Sequence, residues 1–328
     1  MVRALDRLLV LIPIGAVLLL VVTWLVPGRE GIPAVLTILA PHLALAALAL
    51  TVVLAVLVRG GALRLGLLVL VVVLLARVGG EWLSLPTAAG PASFTIATWN
   101  MEWSEPDGPD AVAGLAALDV DVVALQELTP DQAASIEASP AVTARFPYRQ
   151  LEPGSTRTGI GLLSRRPLTE VEVGADPASV RATVRGDGAP ITVLTAHPYS
   201  PRIRTRTPID LPVGYDVSDR DRRLAEIRTR LDAAIALGPP VILIGDFNVA
   251  PTEAAYRDLT AGLVDAHVEA GLGPGWTWRP ELLGPLPAGV LRIDLILSTP
   301  DLVPVESRVV CRSVGDHCQV MAGFIPAA

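Results

Sequence analysis

The segment Val241-Ile242-Leu243-Ile244-Gly245-Asp246-Phe247-Asn248 joins an aliphatic run to a carboxylate and a carboxamide. The aliphatic residues read as a short buried strand. Alternate side chains of a strand share a face, so Asp246 and Asn248 are expected on one side of its carboxyl end. A carboxylate and a carboxamide placed there suit a metal-bound or phosphate-bound water, and open α/β sheets put ligands at strand carboxyl ends. The plain structural alternative is an Asx turn, with Pro251 stopping the strand. Other apolar runs end in the same way. Thr98-Trp99-Asn100, Leu125-Gln126-Glu127 and Thr195-Ala196-His197 each close one; Arg292-Ile293-Asp294 sits inside another, and Gly315-Asp316-His317 precedes the last.

These residue types match the needs of phosphodiester hydrolysis: an activated water, neutralised phosphoryl oxygens and a stabilised leaving group. Mg²⁺ takes oxygen ligands and keeps several waters, so one or two carboxylates suffice to hold it. Glu127 is the first candidate ligand, with Asn100 beside it as a neutral oxygen or supporting partner and Asp316 as a further ligand. Mn²⁺ and Ca²⁺ are alternatives. A strand-end cap is the structural alternative for Asn100 and Glu127.

The ordered set of motifs resembles the endonuclease/exonuclease/phosphatase superfamily, the DNase I-like fold, over roughly residues 93 to 326. The resemblance implies a four-layer α/β/β/α sandwich; periodicity alone supports only mixed α and β. It also implies roles. The histidine matching His317 acts on the attacking water or contacts the phosphate, and Asp294 orients it, fixing the tautomer and stabilising the imidazolium. His197 matches a second histidine that supports the scissile phosphate or leaving group. Asp246 polarises the water, and Asn248 hydrogen-bonds a phosphoryl oxygen. The segment Gly159 to Leu168 resembles the family's strand followed by an arginine-proline pair.

Elements that could carry these residues follow in order. Strands are expected over 93–99, 120–125, 171–173, 180–184, 191–196, 290–297, 303–311 and 319–325, and the resemblance implies one more within Gly159 to Leu168. Helices are expected over 110–118, from Thr129-Pro130-Asp131 to a stop at Pro140, over the charged amphipathic stretch 219–237, and over 252–260. Tyr199 to Val217 reads as a long irregular loop. Its Arg202 and Arg204 could bind a phosphate head group or a nucleic-acid backbone, against the plainer reading of a solvated loop. Trp276 and Trp278, in a polar-aromatic turn, read as core or as a stacking rim.

The chain is 328 residues long and unusually apolar, with a mean hydropathy of +0.51, which points to segments in lipid. Apolar runs over 8–26, 33–58 and 62–80 each approach the roughly 20 residues that span a bilayer. They are expected as three transmembrane helices, followed by a linker over 81–92 and a catalytic domain over 93–328. Arg3, Arg7, Arg59 and Arg64 put the N-terminus in the cytoplasm by the positive-inside rule, and an odd number of spans then puts the catalytic domain outside; Arg77 argues mildly the other way. All 26 basic residues are arginine. That usage, with abundant Ala, Val, Gly and Pro, points to a GC-rich bacterial genome and so to a multi-pass protein of a bacterial plasma membrane.

The part after residue 80 has a formal charge of −11, which lacks the general attraction that drives non-specific nucleic-acid binding. The substrate classes left are a nucleic acid or a lipid head group. A non-catalytic membrane protein that binds a phosphorylated ligand through the same fold is the alternative; it predicts eroded motif positions, and none is eroded. The sequence leaves the oligomeric state open. Cys311 and Cys318 flank Asp316-His317 and in an extracellular domain could form a disulfide closing that loop.

Overall fold

The computed structural model describes residues 2–58, 60–84, 90–102, 108–176, 178–185, 188–206, 211–280, 288–312 and 315–327. It divides into two compact units. The first comprises Met1–Leu83, Arg202–Val217 and Pro251–Tyr256; the second comprises Ser84–Pro201, Ser218–Ala250 and Arg257–Ala328.

The first unit holds four helices: α1 (Val2–Leu25), α2 (Gly31–Ile38), α3 (Ala40–Leu57) and α4 (Gly61–Trp82). The run expected as one span over 33–58 is therefore two helices. The break falls at Leu39, and Pro41 stands in the first turn of α3. Proline has no N–H for a continuing helix and its φ suits a helix start. α4 also runs past residue 80, into the expected linker. Among the described residues, α3 alone is long and apolar enough to cross a membrane; the apolar stretches Leu11–Leu25 and Gly61–Ala76 are shorter.

The second unit begins with β1 (Phe94–Asn100), α5 (Gly108–Ala116), β2 (Val122–Gln126), α6 (Pro130–Ala138), α7 (Pro140–Arg145) and β3 (Tyr148–Glu152). β4 (Ile160–Ser164), β5 (Leu168–Ala175), β6 (Ala178–Val184) and β7 (Ile191–His197) follow. The stretch expected as an irregular loop is instead a hairpin, β8 (Arg202–Arg206) with β9 (Leu211–Asp216), bulged between Arg204 and Thr205; it belongs to the first unit, where β9 packs on α2. The alternation of Arg with Ile and Thr in β8 has the period of a strand. Then come α8 (Ser218–Ile235), β10 (Val241–Asp246), α9 (Ala254–Thr260), β11 (Val264–Asp265), α10 (Ala266–Ala270), β12 (Asp294–Ser298), β13 (Leu302–Val310) and β14 (Gln319–Pro326).

Two six-stranded mixed sheets form the body of this unit, in the orders β13-β14-β1-β2-β4-β3 and β11-β12-β10-β7-β6-β5. Their inner faces share one apolar layer: Ile96, Val122 and Leu162 from the first meet Val180, Val193, Ile242 and Ile296 from the second. The outer face of the first sheet, through Trp99, Val123 and Leu163, packs on Leu115, Ile136 and Val142 of α5, α6 and α7. α8 buries Leu224, Ile227 and Leu231 and packs on β10 and β7. The architecture is a four-layer α/β/β/α sandwich. Strands buried on both faces read as unbroken aliphatic runs, which is why 241–244 lacks alternation.

β1 and β2 are parallel, as are β7 and β10, so Asn100, Glu127, His197 and Asp246 all arrive at one edge. β12 and β14 run the opposite way and start at that edge, with Asp294 at the head of one and His317 just before the other. Gly245 makes the last step of β10 possible. Its φ is +148°, and a Cβ there would lie 2.3 Å from the Ala196 carbonyl oxygen. Gly245→Ala is expected to destabilise the fold by roughly 1–3 kcal/mol through backbone strain and separation of β10 from β7, read as a lowered melting temperature.

Candidate active site

Asp246 is the hub. Its side chain is buried, and both oxygens are engaged: Oδ1 accepts from the Asn248 backbone N–H at 2.9 Å, and Oδ2 accepts from Asn100 Nδ2 at 3.0 Å. Two histidines flank Oδ2, with His197 Nδ1 and His317 Nε2 each 3.7 Å away. Beyond them stand two more carboxylates. Asp294 Oδ2 accepts from His317 Nδ1 at 2.8 Å, and Glu127 Oε1 lies 3.4 Å from His197 Nε2. Glu127–His197–Asp246–His317–Asp294 thus forms one continuous chain across both sheets.

Each position has a local cause. Asp294 pairs directly with Asp246 across β10 and β12, a like-charge pairing that is unfavourable without neighbouring compensation. Glu127, one residue past β2, has φ +55°, which turns the chain at the strand end. Asn248 does not continue β10. The strand stops at Asp246, and Asn248 sits at φ +51° with Nδ2 donating to the Pro198 carbonyl at 3.2 Å. Its side chain is placed by that turn, and not by strand alternation as expected.

Asn100 is a bridge. Its Nδ2 holds Asp246, and its Oδ1 accepts from the Glu102 backbone N–H at 2.9 Å. Asp316 lies at the edge of the cluster, with Oδ1 3.8 Å from His317 Nε2 and Oδ2 accepting from Trp278 Nε1 at 2.9 Å. All eight motif residues therefore meet in one network. Arg202 and Arg204 lie on β8, in the first compact unit.

Several supporting residues carry little local sequence signature. Glu102 Oε2 accepts from the Asp316 backbone N–H, and Thr277 Oγ1 accepts from the backbone N–H groups of Ile293 and Asp294. Trp278 and Thr277 belong to the polar-aromatic turn noted above, whose pairing of indole N–H and hydroxyl with apolar neighbours was the available signal. Arg279 donates to the Gly315 carbonyl, fixing the loop before His317. Cys311 and Cys318 are joined Sγ to Sγ, closing that loop just beyond the last rung between β13 and β14.

Burial and neighbouring charge set the protonation states. Burial pushes the His317 imidazolium down, but Asp294 and Asp246 push it up harder, to about 10. Burial and the adjacent Asp294 raise Asp246 to about 6. For His197, burial is outweighed by Glu127 and Asp246, so its pKa is raised.

Four carboxylates against two imidazoles leave a surplus of negative charge. Among the described residues, Asp294 Oδ1 is buried without a hydrogen-bond partner, and His197 Nε2 meets Glu127 only at 3.4 Å. Asp246, Asp294 and His317 each bring a ligand atom within 4.8 Å of the others. The surplus carboxylate oxygens of this cluster fit a hard divalent cation; His317, held as an imidazolium, has no lone pair to offer one, so the carboxylates would be the ligands.

The sandwich with a His–Asp network at the carboxyl ends of its parallel strands defines a class of phosphoester-hydrolysing enzymes. Residues 97–317 match the model of the Endonuclease/Exonuclease/phosphatase family, and the chain belongs to that family and is a phosphoesterase. Solved structures with the same fold include the 3′ phosphatase NExo from Neisseria bound to a product DNA hairpin (22% identity, TM-score 0.56, 71% of this chain and 100% of that one). D. rerio TDP2 complexed with a single-strand DNA product is similar at 18% identity (TM-score 0.55, 71% and 98%). Sphingomyelinase C from Streptomyces griseocarneus is similar at 19% (TM-score 0.50, 71% and 99%). No curated protein matches.

Two outcomes are expected from this geometry. Folding raises the His317 pKa from 6.5 to about 10, so its stabilisation is complete below pH 6.5 and is lost as pH rises through 10. The melting temperature of chelator-treated protein should therefore fall across that range, and His317→Gln should flatten the fall. Replacing Cys311 and Cys318 together with serine should cost about 2–3 kcal/mol for so short a loop, seen in thermal melts, and should lower turnover by loosening His317.

Proposed function

We propose that this chain is a membrane-tethered, Mg²⁺-dependent phosphodiesterase whose catalytic domain lies outside a bacterial plasma membrane, with a nucleic acid or a phospholipid head group as substrate. The observation that carries the reading is the buried chain Glu127–His197–Asp246–His317–Asp294. Asp246, raised to about 6, has the affinity of a general base near neutral pH and takes the proton of the attacking water. His317, held as an imidazolium by Asp294, donates from Nε2 to the phosphoryl group; its distances to Asp246 and Asp316 are too long for direct hydrogen bonds and leave that donor available. His197, whose pKa is raised, supports the scissile phosphate and protonates the departing oxygen as its bond to phosphorus breaks, and Asn248, one of whose amide protons goes to the Pro198 carbonyl, offers the other to a phosphoryl oxygen. Glu127 and Asp316, with Asn100 in support, would hold Mg²⁺ (or Mn²⁺ or Ca²⁺), which supplies charge neutralisation and a more acidic water.

The tether rests on α3 and on the apolar stretches of α1 and α4, whose exposed Trp24, Val56, Leu65 and Val72 suit lipid better than water. The external location is supported by the arginine distribution and by the Cys311–Cys318 bond, which persists in an oxidising compartment. The acidic catalytic part weighs towards a lipid head group over a polyanion.

The test is hydrolysis by the full chain in nanodiscs across DNA, RNA, sphingomyelin, a phosphoinositide and bis-p-nitrophenyl phosphate, with and without Mg²⁺. Metal-dependent cleavage is expected, reduced about 10²–10⁴-fold by His317→Ala. DNA cleavage marks a nuclease, and cleavage of lipid alone makes the tether part of the mechanism. Full activity in His317→Ala would remove that residue from the reaction.

A further inference from the structure

We propose that Arg220 is a positioning residue for Asn248, an inference that rests on the reading above in so far as Asn248 meets a phosphoryl oxygen. Arg220 lies in the first turn of α8 and is 2% exposed, among the largest fully buried side chains of the protein. A buried guanidinium is costly unless its N–H groups are met. Nη1 donates to the Asn248 carbonyl at 2.8 Å, and Nε and Nη2 both donate to Asp221 Oδ1, at 2.9 and 2.7 Å. An aliphatic side chain at position 220 would avoid the desolvation cost, as Leu224 and Ile227 do further along the same helix. The charged group is therefore explained by what it holds.

What it holds is a strained turn. Asn248 has φ +51°, a region that asparagine tolerates better than other residues with a Cβ but does not prefer. Three contacts fix it there: its N–H on Asp246 Oδ1, its Nδ2 on the Pro198 carbonyl, and its own carbonyl under Arg220. The second of these is braced from α8 as well. Arg223, also buried, stacks on Tyr199, the residue after Pro198, at 3.7 Å from the ring centre, and pairs with Asp219 and Asp176. Two buried arginines of one helix thus grip both chain segments that aim the Asn248 amide. Removing the Arg220 contact frees the Asn248 carbonyl and the peptide that follows it, loosening the aim of the side-chain amide at the phosphoryl position, while Asp246 keeps its bonds to the Asn248 N–H and Asn100.

The test is a double-mutant cycle in the full chain, reading kcat and KM on bis-p-nitrophenyl phosphate and the affinity for inorganic phosphate, both with Mg²⁺. Arg220→Met should lower kcat about 10²-fold with KM changed by less than about threefold. Added to Asn248→Ala it should cost less than about a further twofold, because both act through one group. Phosphate affinity should fall about tenfold in either single variant and no further in the double. Asp221→Asn, at a partly exposed position, should give a smaller loss that vanishes in the Asn248→Ala background, and it decides the matter if Arg220→Met does not fold. Effects that multiply in both readouts would show Arg220 to support only the fold and overturn the proposal. Phosphate binding without hydrolysis would overturn the phosphodiesterase reading while the affinity cycle still judges Arg220. Neither binding nor hydrolysis by the unaltered protein would overturn both.

Discussion

A single buried carboxylate sets the terms for this fold. Asp246 is taken out of water beside Asp294, its direct partner across two antiparallel strands. Two like charges at that separation, in a medium of low polarisability, repel strongly. The surroundings must answer with donors and positive charge, and they do so from both sheets: Asn100 from the first, the Asn248 N–H and His197 from the second, and His317 from the loop that enters the first sheet again. Because the answering groups come from different sheets, a slip of one sheet on the other would strip Asp246 of partners, so its contacts tie the two sheets together at this edge.

That layer carries its own polar tie. Thr98 donates to Gln126, whose amide donates to Thr195 on the facing sheet, all three fully buried. A polar bridge through an aliphatic core adds little net stability, but it penalises any slip that would leave its members unpaired. It lies one to two residues short of Asn100, Glu127 and His197, so it fixes the strand ends where the chemistry sits. The topology does the rest. Parallel pairs deliver carboxyl ends, antiparallel partners deliver amino ends, and all meet at one edge.

How much of this the sequence discloses depends on distance along the chain. The polar residues closing the runs at Asn100, Glu127, His197 and Asp246 were legible, because a buried strand is an aliphatic run and its end is a change of polarity. The pairing of Glu102 with Asp316 spans 214 residues, and that of Trp278 with Asp316 spans 38; no local pattern encodes such contacts. Alternation alone puts Asn248 on a strand, but Gly245 and the turn after Asp246 interrupt it. β3 has no apolar signature, because its residues are polar in the main and exposed or half-buried. The β8–β9 hairpin was hidden by its prolines and its bulge, and the helix break at Leu39 by the uniform apolarity around it.

A site with four carboxylates and two imidazoles costs stability in proportion to its readiness for a cation and an anionic substrate. The protein concentrates its reinforcement where that cost falls. The loop carrying Asp316 and His317 is closed by a disulfide at its base, held by Trp278 and Arg279 from one side and by Glu102 from another. Thr277 caps the head of β12 at Asp294. These groups bind backbone or carboxylate atoms and not the histidines' reactive nitrogens, so they order the frame and leave Nε2 of each imidazole facing the cluster. The division follows from the chemistry: a residue that must exchange a proton or meet a phosphoryl oxygen cannot also be saturated by the fold that holds it.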